Sequence, residues 1–244
     1  MVKLTVVFPT LNEEKDLPRT LKSLKNLKAD VLVIDSGSTD KTSEIAKSYG
    51  ARVVHHPFKS FSDIRNFGNN AVKSGWILAL EADVVITKKL AQEIKSSTSE
   101  VEDFSAYFIP RQNIIWGKKI NYTDWGPKDD LHIWLYKKGS GAWQGKVHEE
   151  FKLKEGTAGY LKNPLIHYNY ETVNEFIGKI NSYSSAAVTQ KKFFPFYWPL
   201  RDFFKRYIYK KGFLDGYHGL FLSYLQAIYY HVLRVKQYQN KNVQ

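Results

Sequence analysis

The sequence predicts an α/β fold, a Rossmann-like, mostly parallel sheet flanked by helices, with a C-terminal helical extension. Three observations predict it. Short β-branched runs alternate with helically spaced segments over the first hundred residues. The runs are continuously apolar, as in strands covered on both faces, where a half-exposed strand would alternate. From Lys191 onward this rhythm stops and the chain turns basic and aromatic.

The elements follow in order. Leu4-Thr5-Val6-Val7-Phe8 is a strand stopped by Pro9, and Leu17, Leu21, Leu24 and Leu27 recur at helical spacing. A second strand, Val31 to Asp35, runs into the turn-rich Ser36-Gly37-Ser38-Thr39-Asp40 and a helix that Gly50 terminates. Arg52 to Val54 reads as a third strand and about Ser62 to Lys73 as a helix; Trp76 to Leu80 is a buried strand that ends abruptly in Glu81-Ala82-Asp83. Further strands are expected at Ala106–Pro110, Leu131–Tyr136, Val147–Leu153 and Leu165–Tyr168, joined by longer loops. Thr172-Val173-Asn174-Glu175 has the spacing of a capping box, which starts a helix running to about Lys191. The expected organisation is a ligand-binding half over residues 1–100, a second half of the same domain over 101–170, and a helical, basic and aromatic extension over 171–244. There is no internal repeat and no low-complexity linker.

Composition narrows the function. With 244 residues, 43% hydrophobic and 25% charged, the chain can bury a sizeable core, which excludes disordered, collagenous and low-complexity classes. The absence of cysteine excludes disulfide frameworks, thiol nucleophiles and Cys-ligated zinc. MVKLTVVFPT is too short an apolar run for a signal peptide, so the protein is expected in the cytoplasm. A net charge of +12 suits a polyanionic partner, whether nucleic acid, anionic lipid or a phosphorylated substrate. From Lys191 to Gln244 there are ten Lys or Arg and two acids, a net +8, together with 16 of the 37 aromatics.

Candidate chemistry gathers at one sheet edge. Ligands of such folds bind outside the carboxyl ends of the strands. There the sequence places Glu81 and Asp83 after one strand, Asp35 and Asp40 after another, and Asn12, Glu13 and Glu14 after the first. Paired carboxylates can take a hard divalent cation that also binds a diphosphate, and Asp or Glu can accept hydrogen bonds from a base and ribose. Arg65 can supply positive charge among these acids. No GxxxxGK[ST], GxGxxG after a strand, HExxH or GxSxG is present; Lys138-Gly139-Ser140-Gly141 reads as a turn and His55-His56 as surface.

Three segments carry a resemblance: Phe8-Pro9-Thr10-Leu11-Asn12-Glu13-Glu14, Ile34-Asp35-Ser36-Gly37-Ser38-Thr39-Asp40-Lys41-Thr42 and Leu80-Glu81-Ala82-Asp83. They resemble the signatures of family 2 glycosyltransferases, which have the GT-A fold, and Arg65-Asn66 matches the Arg-Asn between the second and third. Ile109-Pro110-Arg111, Gly145-Lys146-Val147-His148-Glu149 and Ile166-His167-Tyr168 resemble the branch containing lipopolysaccharide core β-glucosyltransferases. The chain departs from the pattern in having Glu81 for the first Asp of the acidic triplet and Val84 where this branch often has Glu. Ile133-Trp134-Leu135-Tyr136 also stands where a motif often carries Arg.

The resemblance implies a nucleoside diphosphate sugar, a UDP-sugar first, held by Pro9, Thr10, Asn12, Glu13, Asp35, Ser36, Gly37, Asp40, Arg65 and Glu81. It implies Mg2+ or Mn2+ on Asp83, with His167 at the metal or diphosphate. An inverting transfer needs a base for the acceptor hydroxyl. Glu149 is the candidate, with Asp124, Asp129 and Asp130 as alternatives and Arg111 and His148 on the acceptor side. The expected acceptor is a lipid-linked or envelope glycan.

Lys191 to Lys211 has the composition of an interfacial segment, which predicts a peripheral protein on the inner face of the cell membrane, held to anionic lipid. Gly216 to Leu233 lacks Asp, Glu, Lys and Arg across 18 residues and reads as a core helix, a homodimer interface or a membrane span. The rival reading is a nucleic-acid-binding protein, which explains the basic, aromatic tail and leaves the acidic edge unexplained.

Overall fold

Strand β1 (Leu4–Thr10) is the centre of a parallel array in the computed structural model, which describes residues 3–99, 104–145, 149–188 and 195–242. It pairs on one side with β2 (Asp30–Asp35), which pairs with β3 (Arg52–His55), and on the other with β4 (Trp76–Ala79). All three pairings are parallel, as the continuous apolar runs predicted, and Val6, Phe8, Val33, Ile34, Ile77 and Leu78 are fully buried. Helices α1 (Leu17–Ser23), α2 (Thr42–Ser48) and α3 (Phe61–Ala71) supply the crossovers.

The remaining elements are β5 (Val84–Val85), α4 (Lys88–Ser99), β6 (Phe104–Ile115), β7 (Lys118–Lys119), β8 (Leu131–Lys137), β9 (Gly141–Gln144) and β10 (Glu150–Leu153). After them come β11 (Thr157–Tyr160), β12 (Leu165–Tyr170), α5 (Val173–Ala187), α6 (Trp198–Phe204) and α7 (Tyr217–Asn242). Strand β8 lies antiparallel between β4 and β6, and the two residues of β5 pair antiparallel with β12. Of the strand expected over Val147–Leu153, the part from Glu150 is present; residues 146–148, and with them His148, lie outside the described residues.

Helix α3 fixes the site from beneath. Ser60 caps it by accepting from the backbone N–H of Asp63 at 3.1 Å, and its apolar face packs on β1 and β2. Packing there is close enough that a Cβ on Gly68 would meet Val7 Cγ1 at 2.6 Å and Ile34 Cγ1 at 3.2 Å. We expect Gly68→Ala to overpack this contact and destabilise the protein by about 1–3 kcal/mol, read from the urea midpoint. An unchanged midpoint would mean the helix can back away freely.

Two compact units are present, one formed by Met1–Arg111 and Leu131–His167, the other by Gln112–Asp130 and Tyr168–Gln244. In the second, Ile115, Ile120, Tyr170, Phe176, Ile180 and Leu222 form a separate apolar core. Helix α5 starts in the predicted capping box: Thr172 Oγ1 accepts from the Glu175 N–H at 3.2 Å and the Glu175 carboxylate accepts from the Thr172 N–H at 3.4 Å. The Asp215 carboxylate, buried, accepts from the N–H groups of Asn121 and Tyr122, and the Asp215 carbonyl accepts from Lys118 Nζ at 2.7 Å. One face of helix α7 is buried, with Leu222, Ala227 and Leu233, and the other leaves Phe221 and Tyr224 exposed. No helix of the described residues is long and apolar enough to cross a membrane.

Candidate active site

The loops leaving β1 and β2 are laced together by short polar side chains. Asp35, buried at the end of β2, accepts at Oδ2 from the N–H groups of Gly37 and Ser38 (3.2 and 3.1 Å) and at Oδ1 from Ser38 Oγ (2.5 Å) and Thr10 Oγ1 (3.4 Å). Four donors fill the acceptor capacity of a carboxylate. Ser38 Oγ in turn accepts from the Asn12 N–H, and Asn12 Oδ1 accepts from the Thr39 N–H at 2.9 Å. Asn12 adopts φ of 56°, left-handed backbone that Asn tolerates better than most residues.

Glu13 and Glu14 donate their backbone N–H groups to Thr42 Oγ1 (2.7 Å) and Asp40 (3.1 Å). Asp40 also accepts from the hydroxyl and N–H of Thr42. Burial raises the Asp40 carboxyl, but these hydrogen bonds outweigh it and hold it below the ordinary carboxylate range. Ser36 continues the β-type contact by donating to the Thr10 carbonyl at 3.0 Å, and Pro9 stands opposite Ile34. The structure thus brings together Pro9, Thr10, Asn12, Glu13, Asp35, Ser36, Gly37 and Asp40, as the sequence predicted.

A second cluster lies after β4. Arg65, on α3 and 96% buried, donates from Nη2 to Glu81 Oε1 at 3.1 Å and from Nε to Glu149 Oε1 at 2.8 Å. Arg111 donates to the other oxygen of Glu81 at 2.9 Å. Burial raises the Glu81 carboxyl, while Arg111, His167 and Arg65 together bring it below its ordinary value. The guanidinium of Arg65 lies 4.6 Å from the Trp143 ring and 5.5 Å from that of Trp134, and Arg111 lies 5.6 Å from Trp134. Aromatic faces are a good environment for a guanidinium, which is weakly hydrated.

His167 completes the cluster. Pairing of β12 with β5 sets His167 opposite Val84, and its Nε2 lies 3.2 Å from Asp83 Oδ2 and 3.7 Å from Glu81 Oε2. One ligand atom from each of Glu81, Asp83 and His167 falls within 4.8 Å of the others. The two carboxylates suit Mn2+ or Mg2+, with the imidazole as a third donor. Both Glu81 oxygens already accept from guanidiniums, so Asp83 and His167 are the better placed pair. Glu81 and Glu149 meet the two guanidiniums here, and Asp83 meets His167.

Some of these contacts had no sequence signal. Trp134 and Trp143, given no role by the sequence, flank Arg65; Asn66 holds Trp143 by exchanging both backbone hydrogen bonds at 2.9 Å. Trp143 Nε1 donates to the Tyr136 hydroxyl at 2.9 Å, which donates to Asn69 Oδ1 at 2.7 Å. Burial pushes the Tyr136 phenol up to about 12. The alternative bases fall in the other unit, where Asp124 pairs with Arg206, Asp129 with Lys210, and Asp130 accepts from Asn113. His56, expected at the surface, is half-buried because it stacks on Phe67 and lies 2.8 Å from Asp63.

Comparison with known proteins agrees with this geometry. The model of glycosyl transferase family 2 matches residues 5–165, which include both clusters except His167. A glycosyltransferase of Rickettsia typhi described as uncharacterized is 26% identical, over 100% of this chain and 90% of its own length. The lipopolysaccharide core biosynthesis glycosyltransferase LpsC of Rhizobium meliloti is 24% identical, over 97% of this chain and 92% of its own. Among solved structures, S. aureus TarS in complex with UDP-GlcNAc superposes with a TM-score of 0.52 at 14% identity, covering 99% of this chain and 92% of that one.

Proposed function

The chain belongs to glycosyl transferase family 2 and has the GT-A fold, and within that family we propose that it is an inverting, metal-dependent hexosyltransferase. It takes a sugar from a nucleoside diphosphate sugar, UDP-linked first, and adds it to a lipid-linked or envelope glycan. It does so in the cytoplasm at an anionic membrane surface reached through its C-terminal segment. The likeness to LpsC supports the envelope acceptor. The acidic edge that a nucleic-acid-binding reading left unexplained falls inside the family match.

One observation carries the reading: Asp83 and His167 converge beside the Arg65, Glu81 and Glu149 network at the carboxyl end of β4. The laced loops after β1 and β2 hold the nucleotide, with Asp35 keeping their shape and Thr10, Asn12 and Glu13 facing base and ribose. Asp83 and His167 would hold Mg2+ or Mn2+, which when bound stabilises the negative charge of the diphosphate leaving group. Glu149, with Arg65 on one oxygen, takes the proton of the acceptor hydroxyl on its other oxygen as the hydroxyl oxygen bonds to the anomeric carbon and the bond to the diphosphate breaks. Arg111 fixes Glu81 and faces the acceptor.

Calorimetry with UDP and GDP, each with and without Mn2+, tests this reading. We expect UDP to bind with Mn2+ and at least about tenfold more weakly without it, on the scale of one lost charge contact. Binding of UDP indifferent to the cation would remove the metal from the proposal. Binding of neither nucleotide would remove the donor.

A further inference from the structure

Helix α6 and the π-helical turn that continues it, Lys205–Tyr209, are built inside out. The face turned inward carries charge: Asp202 and Arg206 are buried, and Arg206 donates to Asp202 at 2.7 Å and lies 2.8 Å from Asp124, its guanidinium over Trp125. The face turned outward carries large apolar side chains: Leu200, Phe204 and Ile208, four residues apart, are 62%, 52% and 53% exposed. A helix on a water-soluble surface has the opposite arrangement. Further along the chain Phe213, Leu214 and Tyr217 are exposed too, with Phe213 edge-on to Tyr207. Single exposed apolar residues need no explanation, but a row of them does.

Charge identifies what covers this row. Arg201 and Lys205 stand with Phe204, Ile208 and Tyr209 around a shallow depression of about 520 Å³. Lys211 is exposed close by in sequence. Among the described residues from 195 on, the acids are Asp202 and Asp215, and both are buried. Upstream, Asp124 lies 3.9 Å from Lys205 Nζ and pairs with Arg206, and Asp129 pairs with Lys210; Arg201, Lys205, Arg206, Lys210 and Lys211 outnumber Asp124, Asp129 and Asp202, so the surface is apolar with a net positive charge. A second copy of the chain is a poor partner, because a positive patch set against itself across a two-fold axis repels. RNA is served less well, since bases could stack on Phe204 and Tyr209 but would leave Leu200 and Ile208 unburied, whereas an acyl boundary takes all four.

We propose that this face seats the protein on an anionic lipid bilayer, with Leu200, Phe204 and Ile208 entering the acyl boundary and Arg201, Lys205 and Lys211 meeting lipid phosphates. The proposal deepens the reading of a membrane-borne acceptor and rests on it for its purpose, while its physical basis is the inverted helix alone. Exposed aromatics and cations at one level are the arrangement that interfacial helices use.

Co-sedimentation with lipid vesicles tests it, using phosphatidylcholine alone and phosphatidylcholine mixed with phosphatidylglycerol in equal parts. The wild type is expected to bind the mixed vesicles and to bind the neutral ones far less. Arg201→Gln, Lys205→Gln and Lys211→Gln combined should weaken binding by about 10²-fold, roughly fivefold per charge. Leu200→Ser, Phe204→Ser and Ile208→Ser combined should weaken it by about tenfold per side chain or more. All six residues are exposed, so both variants should melt like the wild type and keep its UDP binding. Loss of UDP binding in the wild type with vesicle binding intact would count against the glycosyltransferase reading and leave this one standing. Four results would overturn the bilayer: no vesicle binding by the wild type, binding indifferent to the serine variant, a dimer that the serine variant dissolves, or RNA binding in place of vesicle binding.

Discussion

Asp83→Asn is expected to cut metal-dependent donor turnover by roughly 10²-fold or more, the scale on which removing one charge-stabilising group acts. The substitution keeps size and shape, so its effect isolates the negative charge. The backbone around it is held independently: the Ala82 carbonyl accepts from Thr20 Oγ1 at 2.5 Å and the Glu81 carbonyl from the Val84 N–H at 3.3 Å. An amide can still meet His167, so the loop should stay in place while affinity for a divalent cation falls. The measurement is the transfer or donor-hydrolysis rate at saturating Mn2+, together with UDP affinity with and without the ion. Affinity in the presence of Mn2+ should drop to the metal-free value, and the metal-free value itself should not move. Turnover near that of the wild type would take Asp83 out of the mechanism.

Arg65→Met should be the most damaging single change to stability, at about 3 kcal/mol, the low end of the cost of removing one partner from a buried ion pair. The low end applies because Glu81 keeps Arg111 and is 31% exposed in its side chain, whereas that of Glu149 is 11% exposed. Two carboxylates lose a shared cation, and Trp143 and Trp134 lose the guanidinium between them. For a chain of this size the loss corresponds to a melting temperature lower by about 6–12 °C. Acid should shrink the difference. Glu81 has its folded value below that of a free glutamate, so its contribution is complete above the unfolded value and disappears as pH falls through the lower folded one. Arg65→Lys should fall between the two, since an ammonium keeps the charge but not the fork that reaches two carboxylates at once. A melting temperature unchanged in Arg65→Met would mean that solvent replaces the guanidinium without cost.

Local pattern made much of this legible in the sequence. The continuous apolar runs at Val31–Asp35 and Trp76–Leu80 announced buried parallel strands, and the acids directly after them do gather at the carboxyl ends of those strands. Capping chemistry at Thr172 and Glu175 was equally local. Contacts set by strand register were not legible in local pattern, and the resemblance alone put His167 at the metal expected on Asp83. His167 reaches Asp83 across 84 residues because β12 pairs with a strand of two residues, too short to show a period. Arg65 reaches Glu149 across 84 residues through a hairpin pinned by Asn66, and no spacing rule spans that distance. The basic, aromatic composition around α6 was visible, but which face turns inward depends on Asp124, far upstream, meeting Arg206.

The interleaving of the two units bears on how the chain can be made. Asn121 and Tyr122 leave the ribosome long before Asp215, which takes their N–H groups, and Lys118 precedes the carbonyl it donates to by 97 residues. At translation rates of about 5–20 residues per second, that interval is roughly 5–20 s. During it the first unit can have every strand of its parallel array in place, while the stretch from Gln112 to Asp130 is tethered to it without its native partners from the last helices. Assembly of the second unit is therefore timed by the end of synthesis, and the nascent chain must keep Ile115 and Ile120 from other apolar surfaces until Leu222 arrives.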